Sequence, residues 1–183
     1  MHNHHIPTLG FVAWSGMGKT TLLIRLIPLL RERGLRVGVI KHSHHDFEID
    51  TPGKDSYEMR KAGANPVLVG SRQRWALMKE TPNQEEPILT DLLSRFERDR
   101  PDLILIEGLR HERFPKIEVY RPDMGKPLLY PEDPSVIAIA TDNVISGTIP
   151  VPILDLNRPD RIATFIFDTL GKDIGNNRAI AKR

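Results

Sequence analysis

The sequence predicts an α/β protein in which a mainly parallel sheet carries helices on both faces. Apolar runs typical of strands recur along the chain, and amphipathic helical patterns lie between them. Several of the runs are rich in Val, Ile and Leu without alternation, which indicates strands that are covered on both faces. The alternation of strands with helices indicates β-α-β units and therefore parallel pairing.

Eight apolar runs have the length and composition of strands. They are Leu9–Ala13, Val37–Ile40, Val67–Val69, Trp75–Met78, Leu103–Ile106, Ile117–Tyr120, Val136–Ala140 and Val151–Leu154. The run Ile117–Tyr120 alternates apolar and polar residues, which predicts a half-exposed strand that extends the sheet at its edge. Five prolines between Pro115 and Pro134 predict loops around this edge strand.

Four segments have the apolar spacing of amphipathic helices. They are Lys19–Arg33, Ser56–Ala62, Glu85–Arg98 and Pro159–Leu170. Glycine follows three of them directly, at Gly34, Gly63 and Gly171, as expected where the backbone turns left-handed at a helix end. Pro28 inside the first helix predicts a kink or a local break.

Length and composition indicate one globular domain with short tails. The chain has 183 residues, of which 39% are hydrophobic and 27% charged, and this is the composition of a folded protein. We predict a disordered tail at residues 1–7, a single domain at residues 8–171 and a frayed tail at residues 172–183. The absence of cysteine excludes a disulfide scaffold, an iron–sulfur cluster and a thiol nucleophile.

Charge and hydropathy argue against nucleic-acid and membrane partners. The 26 basic and 24 acidic residues nearly balance, with a net charge of +2, so neither a dedicated nucleic-acid protein nor a membrane-surface protein is predicted. No segment approaches the roughly 20 apolar residues of a membrane span. The first residues have neither the basic flank nor the apolar core of a secretory signal, so we expect a cytoplasmic protein.

The strongest functional signal is a phosphate-binding loop between the first strand and the first helix. The chain there reads Ala-Trp-Ser-Gly-Met-Gly-Lys-Thr-Thr from Ala13 onward, which is a P-loop in its strand–loop–helix context. Glycines let backbone N–H groups converge on phosphate oxygens, and the helix start adds positive potential. The single domain is therefore predicted to be P-loop NTPase-like. Its expected nucleotide contacts are Ser15, Gly16, Met17, Gly18, Lys19, Thr20 and Thr21.

Three of these residues have distinct expected roles. Lys19 is expected to reach the β and γ phosphates and is the candidate catalytic residue. The hydroxyl of Thr20 is expected to ligate Mg²⁺, and Thr21 to contact the α phosphate or to cap the helix. Ala13 stands where the usual pattern has glycine, and alanine is the smallest substitute.

Three carboxylates are candidates for contacts with the metal or with the base. Glu107 ends an apolar strand, which is where P-loop proteins hold Mg²⁺ or its water. Asp55 precedes a helix, where it either forms a capping box with Glu58 or faces Mg²⁺. Asp142 follows another strand, and its carboxylate could accept the N1–H and amino hydrogens of guanine.

A polar cluster follows the second predicted strand and also opens onto the carboxyl end of the sheet. It contains Lys41, His42, His44 and His45. The histidines could chelate a transition metal, contact an anionic ligand or partner, or belong to a polar loop that satisfies its own hydrogen bonds. The residues alone leave these three interpretations open.

Several of these motifs resemble, in order along the chain, the molybdopterin-guanine dinucleotide biosynthesis protein B family, the MobB adapters. The matching segments are Ala13–Leu23, Ile40–Asp46, Asp50–Tyr57, Arg60–Ala64, Gln73–Met78, Leu105–Gly108 and Lys116–Ile117. The second and third segments are the most specific, because they are not general P-loop features. The resemblance extends from Leu9 to about Leu170.

The resemblance implies a P-loop α/β fold, a homodimer, and an accessory protein that binds GTP with Mg²⁺ and is at most a weak GTPase. It further implies an adapter that assists the guanylyltransferase converting molybdopterin to molybdopterin guanine dinucleotide. Analogy with the related P-loop family of dethiobiotin synthetase places Thr20, Asp55 and Glu107 around Mg²⁺. Lys41 and the neighbouring histidines would then lie near the phosphates and meet the pterin phosphate or the partner enzyme.

Two other functions stay open from the residues alone. A small-molecule kinase on the same scaffold would use Asp46 or Asp50 as its base. A metallochaperone GTPase would carry nickel or zinc on His42, His44 and His45. Slow hydrolysis is expected of the adapter, because the sequence offers no evident catalytic glutamine or base.

Overall fold

A computed structural model describes residues 6–43, 47–81 and 87–181 of the chain. These residues form two compact units, a larger one before residue 43 and from Leu89 onward, and a smaller one at Ser43–Ile88. Only residues 6 and 7 of the predicted N-terminal tail are described. The division into one domain and two tails stays a prediction.

The larger unit is built on a six-stranded sheet in which every neighbouring pair is parallel. In chain order the elements are β1 (Thr8–Val12), α1 (Lys19–Glu32), β2 (Val37–Lys41), α2 (Asp55–Lys61), β3 (Val67–Gly70), β4 (Trp75–Met78), α3 (Leu89–Ser94), β5 (Leu103–Glu107), β6 (Lys116–Tyr120), a 3₁₀ turn (Pro122–Met124), β7 (Val136–Thr141), β8 (Ile153–Asp155) and α4 (Pro159–Ala181). The strand order across the sheet is β2-β5-β1-β6-β7-β8. The predicted fold class is confirmed.

Apolar side chains cover both faces of this sheet, and β5 shows how. Leu103 and Leu105 pack into the cluster formed with α1 and α4, whereas Ile104 and Ile106 pack into a second cluster with α3. All four side chains are fully buried, and each such burial contributes roughly 1.5–3 kcal/mol. The run therefore lacks polar alternation because neither face of the strand meets water.

Helix α1 ends at the glycine that the sequence predicts. Gly34 has a φ of 80° and donates its N–H to the Arg31 carbonyl at 2.8 Å, while the Leu35 N–H reaches the Leu30 carbonyl at 3.2 Å. This pair of bonds is the Schellman motif, which satisfies the last free carbonyls of a helix. Pro28 lies inside α1 without ending it, so the predicted break does not occur.

The predicted edge position of the strand at Ile117–Tyr120 is wrong. Strand β6 lies between β1 and β7, and β2 and β8 form the edges of the sheet. The polar residue that suggested a solvent face, Glu118, is fully buried. Its carboxylate accepts the N–H groups of Leu129 and Tyr130 at 2.8 and 2.9 Å. Burial nevertheless raises the pKa of Glu118.

Lys116 is the second buried polar residue of β6. Its Nζ donates to the Arg110 carbonyl at 2.9 Å and pairs with Asp133 at 2.8 Å. Burial alone would raise the pKa of Asp133, but the bonds from Lys116 and Ser135 outweigh burial and lower the pKa. The proline-rich stretch predicted as loops is thus anchored to a central strand.

Helix α4 continues beyond its predicted end at Gly171 as far as Ala181, so the predicted helix end is wrong. Ile174 is buried in the core, and the Asn177 side chain donates to the Pro101 carbonyl at 3.1 Å. These tertiary contacts offset the cost of about 1 kcal/mol that a glycine imposes inside a helix.

Helix α3 is shorter than predicted within the described residues. Its helical hydrogen bonding gives way after Ser94 to tighter turns, in which Arg95 and Phe96 bond three residues back. The predicted start at Glu85 lies outside the described residues. Across the ranges that the structure describes, no helix is both long and apolar enough to cross a membrane.

The smaller unit contains α2 and an antiparallel hairpin of β3 and β4. These strands were expected to be buried, yet Leu68, Trp75 and Leu77 are 64%, 63% and 50% exposed. Leu68 lies opposite Leu77, and Trp75 follows on the same side two residues away. We call these three side chains the hairpin face, which is an apolar surface left open in the single chain.

Candidate functional site

The predicted phosphate loop lies at the carboxyl end of the sheet, between β1 and α1. Strand β1 has β5 on one side and β6 on the other, and ligands of open α/β sheets bind where the chain leaves such a central strand. Gly16 and Gly18 have φ values of 80° and 95°, a left-handed backbone that glycine adopts freely. Helix α1 then begins directly at Lys19. The loop therefore has the backbone that phosphate binding requires.

A cavity of about 370 Å³ opens in front of this loop. It is lined by Ser15, Gly16, Gly18, Lys19, Thr20, Thr21 and Glu107. Six of these are residues that the sequence predicts for nucleotide binding, and the seventh is a predicted metal ligand. The side chain of Met17, which was predicted with the others, is instead fully buried in the core beneath the loop.

Lys19 supplies the positive charge of the cavity. Its Nζ donates to the Ala13 carbonyl at 3.3 Å, a bond that needs only the backbone of residue 13 and is therefore indifferent to alanine replacing glycine there. Burial lowers the pKa of Lys19, Glu107 raises it and Lys41 lowers it further. An anionic ligand would stabilise this poorly solvated ammonium.

Thr20 and Glu107 place two oxygen-bearing side chains next to each other in the lining of the cavity. The Thr20 hydroxyl donates to Glu107 Oε1 at 2.7 Å. The sheet sets this proximity, because the register of β1 and β5 places Phe11 beside Glu107. A hydroxyl and a carboxylate suit Mg²⁺, which usually takes one or two protein oxygens together with phosphates and water. Within the described ranges no group of three or more His, Cys, Asp or Glu could hold a metal by itself.

Two of the residues predicted for a partner or a pterin phosphate lie beside Glu107. Lys41 Nζ is 3.8 Å from Glu107 Oε1, because β2 pairs with β5 in the register that aligns the two residues. The His42 N–H donates to the Glu107 carbonyl at 2.8 Å. His44 and His45 lie outside the described residues, so their roles stay predictions.

The predicted metal ligand Asp55 belongs to the smaller unit, where it is the first residue of α2. Lys54 occupies the cap position and makes no side-chain capping bond, so the predicted capping box is wrong. The Asp55 carboxylate lies in the first turn, where negative charge is favourable. Its role at a metal stays a prediction.

The alternative kinase bases are likewise in the smaller unit. Asp50 Oδ1 accepts the Ser56 hydroxyl at 3.0 Å and the Thr51 N–H at 3.0 Å. This carboxylate therefore orders the turn that leads into α2. Asp46 lies outside the described residues.

Asp142, the predicted base contact, is paired with an arginine that no sequence pattern indicated. Its Oδ2 accepts a hydrogen bond from Arg121 Nη1, and Arg121 Nε donates to the Met17 carbonyl at 3.0 Å. Asp142 Oδ1 is buried, and none of the described residues donates to it. An arginine between β6 and a run of prolines belongs to no motif, so its place at the loop required the structure.

The parallel sheet, the glycine-containing loop after β1 and the Thr20–Glu107 pair beside Lys19 define a P-loop protein with an NTPase-like fold. The family model of molybdopterin guanine dinucleotide synthesis protein B, MobB, matches residues 8–142. The chain belongs to this family, as the sequence motifs indicated, and hence to molybdenum cofactor biosynthesis.

Two relatives match this chain over most of their length, and both are named as adapter proteins. The molybdopterin-guanine dinucleotide biosynthesis adapter protein of Escherichia coli (strain K12) is 50% identical over 171 residues, which cover 93% of this chain and 97% of that protein. The adapter protein of the same name from Haemophilus influenzae is 47% identical over 166 residues, covering 90% and 89%. A crystal structure of molybdopterin-guanine biosynthesis protein B has a TM-score of 0.70 at 30% identity, covering 89% of this chain and 98% of that chain.

Proposed function

We propose that this protein is a GTP-binding adapter that assists the guanylyltransferase converting molybdopterin to molybdopterin guanine dinucleotide. The observation that carries the nucleotide part is the Thr20–Glu107 pair beside Lys19 in the cavity at the phosphate loop. Membership of the MobB family supports the biosynthetic part. The family also favours the adapter over the kinase and metallochaperone alternatives.

The chain's own groups account for how GTP would be held. Backbone N–H groups of the loop and the Lys19 ammonium would bind the β and γ phosphates, and Thr21, in the first turn of α1, would contact the α phosphate. Thr20 and Glu107 are the proposed protein ligands of Mg²⁺, which when bound neutralises charge on the phosphates. On the family analogy alone, Asp55 stays a proposed further ligand.

Hydrolysis in this cavity is proposed to be slow. Among the described residues that line it, none is a glutamine or a histidine, and Glu107 already accepts the Thr20 hydroxyl. Orienting an attacking water and supplying a second positive charge can each contribute orders of magnitude to phosphoryl transfer. We therefore expect bound GTP to stay intact in the site for longer than it would in an efficient GTPase.

Guanine selectivity is proposed to reside at Asp142. Its carboxylate can accept two donors from guanine that adenine does not offer in the same arrangement. In the present conformation Arg121 engages one carboxylate oxygen and the other is buried. Base contact therefore requires Oδ1 to become accessible to the ligand, while Oδ2 keeps its bond to Arg121.

The adapter role is tested by association with the guanylyltransferase, measured by titration with GTP and Mg²⁺, with ATP and Mg²⁺, and without nucleotide. We expect GTP to tighten the association about tenfold, a coupling of about 1.4 kcal/mol. The Lys19→Ala variant should lose this effect and keep the nucleotide-free affinity. Equal association under all three conditions would contradict a nucleotide-dependent adapter.

We also propose that the protein forms a homodimer through the hairpin face. Exposed apolar patches of this kind mark interaction sites, and a second copy would bury the same three side chains. In sedimentation velocity experiments the wild type should be dimeric and Trp75→Glu monomeric. The control is Ile24→Glu, which places the same charge on a residue that is 66% exposed on α1. A dimeric Trp75→Glu variant would rule out this interface.

A further inference from the structure

The segment of residues 121–127, which follows β6 and which no motif explains, contacts the phosphate loop at two points. We call it the bracing segment. The indole N–H of Trp14 donates to the Pro127 carbonyl at 2.7 Å. At the other end of the segment, Arg121 Nε donates to the Met17 carbonyl at 3.0 Å. Both ends of the segment therefore bond to the loop that surrounds the proposed phosphate site.

Both glycines of the loop face the same segment. A Cβ built on Gly16 would lie 3.4 Å from the Met124 methyl, and one built on Gly18 would lie 3.5 Å from Arg121 Nη2. A methyl group at either position would thus be in ordinary van der Waals contact with the bracing segment. Just after the segment, the N–H groups of Leu129 and Tyr130 donate to Glu118 of β6, which ties the chain back to the sheet.

The Arg121 bond matters because of peptide geometry. The Met17 carbonyl and the Gly18 N–H belong to one planar peptide unit and point in opposite directions. Holding the carbonyl against Arg121 directs the Gly18 N–H away from Arg121. Gly18 also lines the cavity, where phosphate binding needs such N–H groups to converge. Glycine permits many other backbone angles, so a restraint from outside the loop limits this freedom.

Asp142 in turn orients Arg121. A guanidinium is a planar fork, so Nε can bond to Met17 while Nη1 pairs with Asp142. The contacts form a continuous series from the end of β7 through Arg121 to the loop backbone. No residue in this series other than Met17 belongs to the phosphate loop itself.

We propose that Arg121 is a positioning residue for phosphate binding, which holds the Met17–Gly18 peptide in its binding orientation and is itself held by Asp142. The proposal rests on the proposed nucleotide function, because it concerns how that site is kept ready. Arg121 would therefore increase the affinity of the loop for the phosphates of any nucleotide, whatever its base. Asp142 thereby connects the base side of the site to the phosphate side.

The test is Arg121→Met in the full chain, with affinities for GTP, ATP and inorganic triphosphate measured by calorimetry in the presence of Mg²⁺. All three ligands should bind about tenfold to a hundredfold more weakly than to the wild type, the loss typical of one charged hydrogen bond. The three losses should be equal within error, because the defect lies at the phosphates that the ligands share.

Arg36 provides a matched control at the amino ends of the strands, whereas Arg121 lies at the carboxyl ends. Arg36 precedes β2, donates to the Arg100 carbonyl at 2.6 Å and pairs with Asp102 at 3.4 Å. Arg36→Met therefore removes the same kind of side chain from the same kinds of partners. It should lower thermal stability and leave triphosphate affinity unchanged, whereas a purely structural Arg121 would behave in the same way as Arg36.

A spectroscopic measurement separates positioning from stability. In ¹⁵N-labelled protein without ligand, Arg121→Met should shift the amide resonance of Gly18, and Arg36→Met should not. The Arg121→Lys variant serves if Arg121→Met fails to fold, since it keeps the charge. One ammonium lacks the planar fork that reaches both partners, so it should recover only part of the affinity.

The remaining outcomes overturn the positioning role alone or together with the proposed function. Unchanged triphosphate affinity in a folded Arg121→Met or Arg121→Lys variant would overturn the positioning role and leave GTP binding intact. A loss for GTP alone would also overturn it, because the effect would then lie at the base. A wild type that binds none of the three ligands would overturn the proposed function and this inference together.

Discussion

Replacing Lys19 with alanine is expected to weaken GTP binding about a hundredfold to a thousandfold. The side chain supplies the positive charge among the residues that line the cavity, and burial lowers the pKa of its ammonium. Two charge-assisted bonds to phosphate oxygens, at about 1.5–2 kcal/mol each, account for a loss of this size. The fold should survive, because the Lys19 side chain makes one 3.3 Å hydrogen bond, to the Ala13 carbonyl.

The measurement for Lys19→Ala is calorimetric titration with GTP and Mg²⁺, alongside thermal unfolding of the free protein. Lys172→Ala is the control, since it removes an exposed lysine of α4 and should change neither quantity. Near-normal GTP affinity in a folded Lys19→Ala variant would contradict the assignment of the loop as the phosphate site.

Replacing Glu107 with glutamine is expected to remove most of the contribution of Mg²⁺ to GTP affinity. Glutamine keeps the shape and can still accept the Thr20 hydroxyl, but it loses the negative charge that a hard cation prefers. GTP affinity measured with Mg²⁺ should therefore fall about tenfold or more, toward the metal-free value. Affinity measured with a chelator should change little or rise, because a negative charge near the phosphates has gone.

The titration of Glu107→Gln is run with Mg²⁺ and with a chelator, so each protein serves as its own reference. Glu97→Gln, at an exposed residue beyond α3, should respond to Mg²⁺ as the wild type does. If Glu107→Gln keeps the full wild-type response to Mg²⁺, Glu107 is not a ligand of the metal.

The phosphate loop could be predicted because its parts are contiguous in sequence. Strand, glycine turn, Lys19 and the helix start all lie within a few residues, and local geometry then fixes them. Glu107 was also within reach of sequence reasoning, since it ends an apolar strand and carboxyl ends of parallel strands share one edge of the sheet.

Residues whose role depends on distant partners could not be predicted. Glu118 suggested a half-exposed edge strand, because nothing local reveals that the N–H groups of Leu129 and Tyr130 bond to its carboxylate. Arg121 gave no signal for the same reason. Its partners are the Met17 carbonyl, a backbone group, and a side chain that lies 21 residues away in sequence.

The predictions of helix length and of strand burial failed for a related reason. Gly171 is locally a typical helix-ending residue, but contacts of Ile174 and Asn177 with the rest of the larger unit stabilise α4 beyond it. In the hairpin, apolar composition predicted burial, whereas Leu68 and Trp75 are exposed in the single chain. Apolar composition indicates that such side chains favour burial. It does not indicate whether the same chain or a second molecule buries them.

The most direct test of the central claim is competition between GTP and ATP for the wild-type protein in the presence of Mg²⁺. The account predicts that GTP binds at least about tenfold more tightly, which corresponds to about 1.4 kcal/mol from one base-specific contact. Equal or tighter binding of ATP would contradict a guanine-nucleotide adapter and would remove the proposed role of Asp142 in base selection.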